Sequence, residues 1–135
     1  MNMIEKLEGS ILLAEIEQPD CPVEHKFSDG VYVREITMPT DSLIVGHEHK
    51  TKHLNIVSKG KCILLDLNTG DILDIEAPYT FESDSGVRKV LYIVEECVWS
   101  TIHVTNTTDL GMLEKELIVK SDTHIELKGD MKCLG

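Results

Sequence analysis

No apolar run in this 135-residue chain approaches the roughly 20 positions that span a bilayer, so no membrane partner is expected. The opening residues, Met1-Asn2-Met3-Ile4-Glu5-Lys6, lack the basic start and long apolar centre of a secretory signal. The expected compartment is the cytoplasm. Clustered Lys and Arg are also missing: 13 basic against 24 acidic residues leave a net charge of −11. A phosphate backbone needs a basic patch, so a nucleic-acid partner is not expected. The four cysteines, Cys21, Cys62, Cys97 and Cys133, form no CxxC pair, which excludes a zinc ribbon. A disulfide framework suits a small secreted scaffold better than a chain that is 41% hydrophobic. Cys62 and Cys97 lie in apolar strand patterns and read as core thiols, whereas Cys21, beside Pro22, reads as an exposed loop residue. No internal repeat or low-complexity segment is evident.

What is present fits one domain with one core. Short β-branched runs alternate with turns. Val31 to Met38, Ser42 to His47, His53 to Val57, Lys61 to Leu67, Asp71 to Glu76, Arg88 to Val94 and Val98 to Thr105 read as strands. Asp29-Gly30, Ser58-Lys59-Gly60, Asn68-Thr69-Gly70 and Asp84-Ser85-Gly86 read as turns, and Glu95-Glu96 as a tight polar corner. Ser10 to Ile16 is an apolar strand or short helix. After it, Gln18-Pro19-Asp20-Cys21-Pro22 is a loop. A cap at Thr108 or Asp109 followed by Leu113, Leu117 and Ile118 at helical spacing predicts a C-terminal helix.

The distinctive stretch is Gly46-His47-Glu48-His49-Lys50-Thr51-Lys52-His53, with Gly60 seven residues on. Three of the six histidines fall here, all at odd positions. On an extended strand, residues two and four apart share a face, so His47, His49 and His53 can converge on a divalent cation. His25 and His124, in loop and tail contexts, read as surface residues.

These residues resemble the cupin superfamily, whose small jelly-roll barrels hold a metal or ligand in the mouth. Its first motif runs Gly, HxH, three or four residues, Glu, six residues, Gly. Here His47-x-His49, three residues, His53 in the Glu place, six residues and Gly60 keep that spacing, with Asp41 at the leading Gly. The second motif is degenerate: Asp84-Ser85-Gly86 holds the Pro-x-Gly turn, Pro78 replaces the leading Gly, and Lys89 takes the place of the fourth histidine ligand. The resemblance covers residues 27–106. The phrases Gly30 to Ile36, Ile75 to Thr80 and Val98 to His103 are similar to small cupin-domain proteins common in bacteriophage genomes.

The resemblance implies an all-β, single-domain cupin jelly-roll barrel with a short C-terminal helix. Its expected segments are an N-terminal strand and loop (1–26), the barrel (27–106), the helix (107–120) and a tail (121–135). It also implies a divalent metal ion (Fe, Mn, Ni or Zn) held by His47, His49 and His53, with His103 brought in because the final cupin strand runs beside the one His53 opens. Lys89, Tyr79 and Trp99 are expected at the ligand: Lys89 as a cation, Trp99 as a stacking surface if it is not core. Tyr32, Glu35, Tyr79, Glu82 and Tyr92 are acid–base candidates, whereas Glu48 faces away by parity. Two functions follow. One is a metal-dependent enzyme acting on a small polar metabolite. The other is a non-catalytic module for binding, sensing or phage assembly, resident in the host cytoplasm. The apolar Ile11 to Ile16 strand implies a homodimer that covers it.

Overall fold

The computed structural model describes residues 21–118. The Ser10 to Ile16 run, His124, Cys133 and the expected tail lie outside the described residues. Among the described residues seven strands and one helix follow in order: β1 (Val23–Ser28), β2 (Val31–Met38), β3 (Leu43–Val45), β4 (His53–Asp66), β5 (Ile72–Glu76), β6 (Tyr79–Ser83), β7 (Lys89–Val104) and α1 (Leu110–Leu117). β1 straddles the 26/27 segment boundary, and β6 forms between the expected Asp71 to Glu76 strand and the Asp84-Ser85-Gly86 turn, where no strand was expected.

All the strand pairs are antiparallel and are organised by two long strands. The first half of β4 pairs with β6 and with the second half of β7, which in turn pairs with β2 and so with β1. The second half of β4 pairs with β5 and with the first half of β7, which carries β3. β4 and β7 therefore run through both half-sheets and fold them into a barrel.

Each long strand was expected as two strands joined by a turn. The chain instead bends without leaving the ladder, through register shifts between Val57 and Cys62 opposite Glu95 to Val98. Gly60 permits the bend. It takes φ +94°, and a Cβ there would stand 2.1 Å from the Glu96 carbonyl oxygen. No other residue type fits that approach.

Alternation on the strands builds the core. Ile36, Met38, Ile44, Val57, Cys62, Leu64, Ile75, Leu91, Ile93, Cys97 and Trp99 interlock, with Phe81 packed edge-on against Trp99 at 5.6 Å. Cys62 and Cys97 are buried free thiols, as expected. Cys21 is not the exposed loop thiol anticipated: it is 7% exposed because it packs into the core cluster, and it is disulfide-bonded. α1 begins at Asp109, whose side chain accepts from the Met112 N–H (2.9 Å). It lays Leu113 and Leu117 over Tyr32 at the barrel's open end.

Candidate metal centre

Inward positions along β4 read His53, Asn55, Val57, and along β7 Trp99, Thr101, His103, all buried. Asn55 pairs with Thr101 and Val57 with Trp99, so the register stacks these residues in rungs, with His53 and His103 at the end nearest the mouth. His49 arrives from the loop between β3 and β4. It forms an isolated bridge with Ile118, the Lys50 N–H donates to the Leu117 carbonyl (2.7 Å), and the His49 carbonyl accepts from the Gly86 N–H (2.9 Å). The end of α1 and the Asp84-Ser85-Gly86 turn thus hold the third imidazole against the other two.

Ring centroids stand 4.4 Å apart for His49 and His53, 5.2 Å for His49 and His103, and 4.8 Å for His53 and His103. One nitrogen from each ring lies within 4.8 Å of the other two. Three nitrogens bound at about 2.1 Å to one ion stand about 3.0–3.6 Å from one another, so side-chain rotations that shift the rings by about an ångström bring all three into reach.

The protonation states suit ligation. His53 Nδ1 sits 3.0 Å from the Thr51 carbonyl oxygen. A carbonyl can only accept, so Nδ1 carries the proton and Nε2 keeps its lone pair. That Nε2 and His103 Nδ1 are buried with no hydrogen-bond partner. Buried polar atoms are rarely left so, and a cation is the ligand that imidazole lone pairs accept. Burial lowers the pKa of both rings. His53 is pushed down by desolvation, against the Thr51 hydrogen bond, and further by Lys89. His103 falls to about 4 through desolvation, then the charges of His53, Arg34 and Lys89. Both are neutral at pH 7, so metal displaces no proton from them.

Beside the imidazoles a cavity of about 290 Å³ opens between the barrel mouth and α1. His49, His103, Tyr32, Arg34 and His25 line the barrel side, while Leu110, Leu113, Glu114 and Leu117 line the helix side. Tyr32 is 5% exposed and its oxygen lies 2.7 Å from His25 Nδ1. Desolvation raises the Tyr32 pKa, and desolvation followed by the Arg34 charge lowers that of His25. At neutral pH a protonated phenol and a neutral imidazole therefore share this hydrogen bond.

Of the four expected ligands, the structure gathers His49, His53 and His103. His47 stands outside the group because β3 ends at Val45, so the alternation assumed from Ser42 to His47 does not reach it. Lys89, not its neighbour Arg88, is the buried one of that pair (7% exposed). Its ammonium lies 5.9 Å from the Phe81 ring centroid, and burial, against the pull of Asp66, lowers its pKa to about 8. It influences His53 and His103 electrostatically but does not line the cavity. Tyr79 and Trp99 do not line it either. Tyr79 packs on Phe81 opposite Val57, at the rung of Trp99 and below the imidazoles. Trp99 is core, its indole N–H donating to Asn55 Oδ1 (3.0 Å), whose amide nitrogen donates to Ser83 Oγ (2.9 Å). Among the acid–base candidates only Tyr32 reaches the cavity. Glu35 pairs with Lys26, Glu82 with Lys52, and Tyr92 donates to Asp41. Arg34 and His25 were missed. Both follow from the β1–β2 hairpin register, which pairs His25 with Arg34.

No protein-family model matches the sequence, and no curated protein matches it either. Solved structures do. A cupin domain from Bordetella pertussis superposes over 64% of this chain and 95% of its own, at TM-score 0.52 and 15% identity. The chain has the cupin fold. The DMSP lyase DddQ of Ruegeria pomeroyi matches 67% of this chain and 49% of its own, at TM-score 0.56 and 10% identity. Salicylate 1,2-dioxygenase from Pseudoaminobacter salicylatoxidans, in adducts with gentisate, matches 90% of this cupin-fold chain and 36% of its own, at TM-score 0.61 and 11% identity.

Proposed function

We propose that this protein is a metal-dependent enzyme acting on a small polar metabolite, with one divalent ion held by His49, His53 and His103. The observation that carries the reading is the pair of buried, unsatisfied nitrogens, His53 Nε2 and His103 Nδ1, inside a three-imidazole cluster that opens on a cavity. Three neutral imidazoles suit Fe, Mn, Ni or Zn. When bound there, such an ion polarises a substrate oxygen and lowers the pKa of water. The protein's own residues supply the rest. Tyr32 holds a proton at the cavity wall and shares a hydrogen bond with His25. Leu113 and Leu117 keep the helix side dry. That neighbours of the same fold include a lyase and a dioxygenase supports an enzyme.

One observation favours a second reading. Lys89, buried beside the cluster, stands where a cupin's fourth histidine ligand would be, and a positive charge there opposes a cation. In that case the barrel is a binding, sensing or phage-associated structural module. In both readings we place it in the cytoplasm as a homodimer, joined through the apolar Ile11 to Ile16 segment, and light scattering at micromolar concentration checks the dimer.

Elemental analysis of protein purified without a His-tag separates the readings. Stoichiometric metal, lost in His49→Ala and His53→Ala, supports the enzyme. Metal-free protein whose stability is unchanged in both variants contradicts it.

A further inference from the structure

Arg34 is the one permanent cation of the cavity wall, and the metal reading does not use it. It sits on β2 between Tyr32, which pairs with His103, and Ile36, which pairs with Trp99, so it shares the barrel-facing side one rung below the imidazoles. Its own rung partner is Thr101. In a chain with 24 acidic and 13 basic residues, several surface lysines find carboxylates: Lys26, Lys52, Lys59 and Lys61 each pair with at least one. Arg34 does not. Among the described residues no carboxylate lies within ion-pair distance of it and no hydrogen bond satisfies it, although it is half-buried in the wall of the cavity. Holding a guanidinium out of water without a counter-ion is costly, and the group best matched to its planar fork is a carboxylate.

We propose that the cavity beneath α1 binds a small monocarboxylate, its carboxylate on Arg34 and its apolar part against Leu113 and Leu117. Three features set the class. At about 290 Å³ the cavity lies at the small end of ligand pockets. Its lining carries a single guanidinium and one carboxylate residue, Glu114, so a dianion such as a phosphate ester meets repulsion that a monoanion largely avoids. The N-terminus of α1 offers a phosphate little, because Asp109 already takes its Met112 N–H. The remaining wall is aliphatic. A ligand anchored at Arg34 extends past Tyr32 toward His49 and His103. That last placement rests on the metal reading, whereas the Arg34 contact does not.

The test uses the full chain, metal-free and metal-loaded, titrated with propionate, hexanoate and benzoate, with benzamide as the neutral counterpart of benzoate and phenyl phosphate as the dianion. Binding is followed by calorimetry and by the Arg34 Nε–H NMR resonance. At least one carboxylate is expected to bind about tenfold or more tightly than benzamide or phenyl phosphate and to move the Arg34 resonance. Arg34→Gln should abolish the preference, and Arg34→Lys should recover part of it. If Arg34→Gln does not fold, the wild-type resonance still decides. The proposal is overturned if no carboxylate binds up to tens of millimolar, if benzamide or phenyl phosphate binds as tightly, or if the Arg34 resonance stays still. Metal bound without carboxylate preference sinks this inference alone. Carboxylate bound in a chain that takes up no metal sinks the metal reading and leaves the anion site standing.

Discussion

His53 and His103 stand with ring centroids 4.8 Å apart, one on each of the two strands that run through both half-sheets. The pair is therefore as rigid as the ladder beneath it. Only His49 depends on a loop, and that loop is pinned by the end of α1 and by Gly86. A site built mainly on strands holds its geometry better than one built on loops.

His47→Ala is expected to keep stoichiometric metal, because that ring lies outside the cluster. Loss of His103 should weaken binding beyond the roughly 10–100-fold that removal of a supporting residue costs. Isothermal titration of both variants with Zn²⁺ checks the contrast. Equal losses would restore His47 to the site.

Lys89→Met should tighten metal binding several-fold, since its charge opposes the cluster through His53 and His103. The same titration reads it. Weaker binding would instead show that the amine of Lys89 is itself a ligand.

Stability of the metal-free protein should fall as pH drops from about 6.5 toward 4. The His103 pKa is lowered from 6.5 to about 4 in the folded state, so between those values the unfolded chain binds the extra proton and stability rises with pH. The contribution is fully present above pH 6.5 and worth about 3 kcal/mol, and His53, lowered in the same direction, adds to it. Urea midpoints across this range, repeated in His103→Gln, isolate the effect. An unchanged slope in the variant would contradict it.

Gly60→Ala should destabilise the fold by about 2–4 kcal/mol, combining the positive φ with the 2.1 Å approach to Glu96. Trp99→Phe should cost about 1–3 kcal/mol by leaving Asn55 Oδ1 without its donor, yet leave metal binding unchanged. Denaturation curves measure both, and a metal-binding loss in Trp99→Phe would return that residue to the ligand site.

The sequence made the barrel legible because β2 and the paired halves of β4 and β7 carry clear alternation and β-branched residues, with cap and spacing announcing α1. It misread the corners near Gly60 and Glu95, since a bend inside a ladder and a turn out of it use the same residues. His49 and His53 were found by parity, although a loop and not a strand joins them, and the same parity wrongly carried His47 inward. His103 came from the resemblance. Arg34 and His25 stayed hidden as site residues because they reach the cavity only through the β1–β2–β7 register and the placement of α1, relations between segments distant in sequence. Trp99 and Tyr79 failed as ligand residues for the converse reason: their strands are right, but the rung they share with Val57 lies too deep.

X-ray absorption on the zinc-loaded, tag-free protein reads whether three imidazoles share one ion. The expected shell contains three imidazole nitrogens at about 2.0–2.1 Å, reduced by one in His103→Ala. A shell of oxygen alone, or three imidazoles surviving that substitution, would contradict it.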